Sequence, residues 1–86
     1  MWKEILFKVL DGINDIPSPF ASNTRMEHVF VVMDEVTRMG FLWIWCPVTL
    51  RGINMSRMKV PEDVEFINIE EFDKLNIPVI KFEAID

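Results

Sequence analysis

The chain has 86 residues, half of them hydrophobic and 27% charged, with a net charge of −5. That length predicts one domain, 1–86, which buries about 60% of the surface exposed by its unfolded form and so carries one core with little surplus stability. The composition excludes a disordered chain, the single cysteine excludes an internal disulfide, and the longest uncharged run, residues 39–50, is too short to span a bilayer.

The N-terminal stretch "MWKEILFKVLDGIND" carries charges throughout and has no apolar signal-peptide region. The expected location is cytoplasmic. Trp2, Ile5, Leu6, Val9 and Ile13 fall on one face of an amphipathic helix, with Phe7 off the stripe. Gly12, Pro17 and Pro19 stop it. "SNTRMEHVFVVMDEVTRMG" then predicts a second helix. Thr24 and Glu27 have capping-box spacing, Met26, Val29, Phe30, Met33 and Val36 share a face, and Gly40 fits the position after the last turn. The competing reading is a strand over "HVFVVM", because valine favours sheets; the agreement of caps and period favours the helix.

"FLWIWCPVTL" predicts a central strand with apolar residues on both faces: Phe41, Trp43 and Trp45 on one, Leu42, Ile44 and Cys46 on the other. "RGIN" is a turn candidate through Gly52, and "MSRMKV" an antiparallel return. "VEFINI" predicts a strand, "EEFDKLN" a short helix, and "PVIKFEAI" a half-solvated last strand. The fold class expected is α+β: two N-terminal helices packed on one face of a small, mostly antiparallel sheet of about four strands, with a short helix before the last strand.

No catalytic set is expected. His28 is the only histidine and Cys46 the only cysteine, whereas zinc needs several such ligands and a cysteine nucleophile needs a base and an oxyanion donor. His28 reads as solvent-exposed, and Cys46 as a buried thiol whose pKa burial raises. There is no phosphate-binding glycine loop and no nucleophile elbow. The expectation is a non-enzyme without metal or cofactor.

Charge carries what functional signal there is. Residues 25–59 sum to +2, while residues 60–86 set two lysines against eight carboxylates, a net −6. Such density speeds association with a basic partner. The sequence therefore predicts a small acidic protein-binding module, with an acidic face and an aromatic–methionine patch, without a membrane role. One form is an inhibitor of the kind viruses use, directed at a basic or nucleic-acid-binding host protein. The expected contact surface is Glu62, Asp63, Glu65, Glu70, Glu71 and Asp73, with Phe72 as central anchor. Two alternatives stand beside it. One is nucleic-acid binding through Arg51, Arg57 and Lys59, which the net charge disfavours. The other is an accessory subunit or homodimer packing through Trp43 and Trp45.

Overall fold

The computed structural model describes residues 1–85. The elements are α1 (Trp2–Leu10), β1 (Glu27–Asp34), β2 (Met39–Trp45), β3 (Arg51–Lys59), β4 (Ile67–Asn68), α2 (Ile69–Phe72) and β5 (Lys81–Phe82). The fold is α+β around one mixed sheet of five strands in the order β4-β1-β2-β3-β5. The three long strands are antiparallel, and the two-residue edge strands β4 and β5 add in parallel.

The first helix forms as its periodicity predicts. Trp2, Ile5, Leu6 and Val9 are its buried side, and Phe7 points to solvent. It ends sooner than the apolar stripe. Gly12 takes φ +84, its N–H donates to the Val9 carbonyl, and the Ile13 N–H donates to that of Lys8, both at 3.0 Å. This paired closure is a Schellman cap, and it leaves Ile13 outside and exposed.

The predicted second helix is not there. Residues 27–34 are β1, and Asp34 turns the chain into β2: its Oδ1 accepts from the Val36 N–H at 2.9 Å, and Arg38 takes φ +60. Thr24 caps nothing; its hydroxyl donates to the Ser22 carbonyl. Burial explains the choice. Val31 and Val32 are adjacent and both fully buried, which a strand covered on two faces allows and a one-sided helix does not. Two members of the supposed helical stripe, Met33 and Val36, are exposed instead. So there is one N-terminal helix, not two, and the sheet has five strands with parallel edges rather than about four in a mostly antiparallel array.

β2 is the central strand, as expected. Its Leu42 and Ile44 pair across from Phe30 and His28 of β1 and from Met55 and Ile53 of β3. Phe30, Val32, Leu42, Ile44, Cys46 and Ile53 meet α1 and form the main core, with Met55 packed against it. Truncating one of them, such as Ile44→Ala, costs about 2–5 kcal/mol.

The other face carries Phe41, Trp43 and Trp45. The turn before β3 is residues 46–50, closed by the Leu50 N–H on the Cys46 carbonyl at 2.8 Å, and not "RGIN". Gly52 lies inside β3 for a steric reason. A Cβ there would stand 2.6 Å from the Ile44 carbonyl oxygen and 2.6 Å from Ile80 Cγ2. Ile80 thus crosses over Gly52 beside Trp45, and Val31, Trp45 and Ile80 are buried on this second face.

Candidate functional site

The acidic segment reaches its place through Arg38. The Val60 N–H donates to the Arg38 carbonyl at 2.9 Å. The Arg38 guanidinium returns two bonds, to the carbonyl oxygens of Val60 and Pro61, and lies 4.6 Å from the Phe66 ring centre. These contacts pin both ends of residues 60–66 to the β1–β2 turn. The chain then enters β4 alongside β1, with Ile67 opposite Val31.

Between this segment and the main sheet lies an open groove of about 620 Å³. Its walls include Val9 of α1, His28 and Phe30 of β1, Asn14, and the acidic Asp63 and Glu65. His28 is half-buried rather than exposed. On a strand it shares the parity of Phe30, whose ring it meets edge-on at 5.6 Å. Burial pushes the imidazole below the usual 6.5, and the Glu65 charge opposes that shift.

Glu70, Glu71 and Asp73 lie elsewhere. Asn68 caps α2 by accepting from the Glu71 N–H at 2.9 Å. Phe72 turns down onto the second sheet face, 5.2 Å from Phe41 and 5.0 Å from Trp43, both edge-on. Phe72 is half-buried in this cluster. Of the seven residues singled out in the sequence, Asp63 and Glu65 share the groove. The α2 carboxylates flank Phe72 above the opposite face, and Glu62 precedes the groove. All six carboxylates are exposed. Among the described residues none of them makes an ion pair.

The basic residues divide differently. Arg51 makes a two-pronged ion pair with Glu83 and lies 4.0 Å over the Phe20 ring. Arg25 pairs with Asp15. Arg57 and Lys59 are exposed. Trp43 is flanked edge-on by Phe72 and by Phe82, the latter at 5.0 Å. Trp45 is buried under its own chain.

Cys46 is buried, as expected, but its thiol is not raised. Burial pushes it up, while hydrogen bonds from the Ser18 and Thr49 side chains and from the Thr49 and Val48 backbone outweigh that and bring it to about 7. The Ser18 hydroxyl lies 3.2 Å from Sγ.

Two features were not found from the sequence. His28 as a groove wall requires the strand reading of β1. The second is the form of the aromatic–methionine patch, an apolar groove of about 350 Å³ on the other sheet face, formed by Met33, Met39, Phe41 and Trp43 with Ser56 and Arg57. Its signal was Met33 and Met39 lying close to the aromatic strand.

No helix among the described residues is long and apolar enough to cross a membrane. Comparison with known proteins adds no relative: no family model matches the chain, no curated protein matches it, and no solved structure matches it.

Proposed function

We propose that this chain is a protein-binding module that takes a basic partner through the carboxylates of residues 62–73. The observation that carries the reading is that six exposed carboxylates lie in that stretch with no cationic partner among the described residues, whereas Glu83 and Asp15 are paired. Unpaired carboxylates keep their full field for steering an incoming cation.

The Asp63/Glu65 groove sharpens the proposal. It has apolar walls from Val9, Phe30 and Val64 and acidic groups beside them. A lysine or arginine side chain offers the matching shape, an aliphatic stem and a charged head. The inhibitor form of the proposal follows if that side chain belongs to the nucleic-acid-binding surface of the partner.

Nucleic-acid binding is the second reading and has less behind it. Arg51, one of its three cations, is committed to Glu83 and Phe20. Packing of a second copy through Trp45 would require Ile80 to lift away from it.

Partners captured from a cell lysate at low salt provide the test. Asp63→Lys/Glu65→Lys and Glu70→Lys/Glu71→Lys/Asp73→Lys are compared with the parent. At least one set should weaken capture about tenfold or more, equivalent to 1.4 kcal/mol, and the parent's binding should fall with salt. If both variants fold and bind as the parent does, the acidic surface is not the contact.

A further inference from the structure

The second sheet face holds an apolar groove whose rim charge is opposite to that of the acidic segment. Met33, Met39, Phe41 and Trp43 form it, and Asn54, Ser56 and Arg57 of β3 close one side. Met33 is 62% exposed and Met39 39%. Methionine walls adapt to varied apolar side chains. The neighbouring rings are already engaged, Phe41 and Trp43 with Phe72 and Trp43 again with Phe82, so two of the groove's walls are held by other rings.

Arg57 distinguishes this groove from an ordinary apolar patch. Arg25, Arg38 and Arg51 are all engaged within the chain. Arg57 makes no ion pair, side-chain hydrogen bond or ring contact among the described residues, although the protein is strongly acidic. Its backbone is also unusual. Gly40 pairs with Met58 and Leu42 with Met55, so Ser56 and Arg57 together face Phe41 in a β-bulge. Arg57 sits there at φ +54, which costs a non-glycine residue free energy. Bulges re-aim side chains, and this one sets a guanidinium at the rim of the groove. Lys59, two residues on, adds a second exposed cation.

We propose that this groove docks an acidic–apolar peptide segment of a protein partner, with a large apolar side chain between Met33, Met39 and Phe41 and a neighbouring carboxylate on Arg57. Two observations select a peptide. Among the described residues the outer edge of β3 has a strand partner only at Arg51 and Gly52, so no strand pairs with the edge beyond them beside the groove. And Trp43 is already packed within the chain, with the Phe72 and Phe82 rings each centred 5.0 Å away, so it is not a free stacking platform for a nucleotide base. This site goes beyond the acidic surface and takes a ligand of opposite charge, so the two are tested separately.

Acetyl-Glu-Leu-Phe-Asp-amide is titrated into isotope-labelled protein, with acetyl-Lys-Leu-Phe-Lys-amide and a thymidine oligonucleotide in parallel. The acidic peptide should shift the amide signals of Gly40, Phe41, Ser56 and Arg57 and leave those of Asp63 and Glu65 in place. The basic peptide should bind this groove about twofold to fivefold more weakly, the range of an exposed charge contact. Arg57→Asn removes the charge with a residue that tolerates positive φ, so the fold survives and affinity falls similarly. Met33→Glu should abolish the shifts while the spectrum stays dispersed. No shift at millimolar acidic peptide, equal binding of both peptides, or selective shifts from the oligonucleotide overturns the proposal.

Discussion

The indole N–H of Trp2 donates to Glu83 Oε1 at 3.2 Å, joining the first turn of α1 to the last segment of the chain. The same carboxylate takes two bonds from Arg51 at the start of β3. Trp2 and Arg51 in turn both meet Phe20, at 5.1 and 4.0 Å. Four residues from distant parts of the sequence thus hold together the end of the sheet where β5 adds.

The Glu83 carboxyl titrates at about 2, chiefly because of its hydrogen bonds from Arg51 and Trp2. Its ordinary value is 4.5. A depressed carboxyl contributes stability that is fully present above its unfolded pKa and lost as pH falls toward the folded one. Melting temperatures of the parent and Glu83→Gln should therefore differ at pH 7 and converge between about pH 4.5 and 2. Curves that stay parallel across that window would show that the pair contributes nothing.

Gly52 is predicted to reject any side chain. Alanine there puts Cβ 2.6 Å from the Ile44 carbonyl oxygen, a backbone atom that cannot swing aside, and 2.6 Å from Ile80. Gly52→Ala should cost about 1–3 kcal/mol, in the range of overpacked cores. Gly12→Ala also loses stability, but through its φ of +84 alone, since nothing lies within 4 Å of its Cβ. Measured against Ile80→Ala alone, the loss from Gly52→Ala should shrink and that from Gly12→Ala should not. Urea unfolding of the five variants checks this.

Trp45 separates bulk from polarity. The residue is 5% exposed, and its Nε1 has no acceptor among the described residues. A buried donor without a partner costs about 1–3 kcal/mol. Trp45→Phe keeps most of the apolar body and deletes that donor, so it should stay within about 1 kcal/mol of the parent. Trp45→Ala should lose about 3–5 kcal/mol. Equal losses in the two would mean that the indole N–H is satisfied in solution.

These contacts also explain what could be read from the sequence. α1 was legible because it buries one side only, so its 3.6-residue period survives. β2 was legible because aromatic and aliphatic residues alternate across it without a break. β1 was misread because both its faces are covered. Met26, Val29, Phe30, Met33 and Val36 then fit a helical spacing by coincidence, and buried Val31 fell outside it. The charge excess of residues 60–86 was plain. Its division was not, since Glu65 meets His28 only through parallel pairing of β4 with β1, and Phe72 reaches Trp43 only by folding over the sheet. Gly52 looked like a turn residue because the chain segment that crosses it lies 28 positions away.

His28 provides the pH signature of the acidic groove. Burial lowers its pKa below 6.5 while Glu65 pulls the other way. Removing that charge should let burial act alone. The imidazole resonance in Glu65→Gln is thus expected to titrate at lower pH than in the parent, and the parent below 6.5. For a depressed histidine, stability is fully present above the unfolded pKa and declines as pH falls below it. The parent should therefore lose stability from pH 7 to 5, beyond the losses of a His28→Gln variant. Binding has the same sign: an imidazolium beside Glu65 competes with an incoming cation, so a basic partner held in this groove should bind more weakly at pH 5 than at pH 7. A resonance that moves up in Glu65→Gln would place the carboxylate away from the ring and remove His28 from the groove's electrostatics.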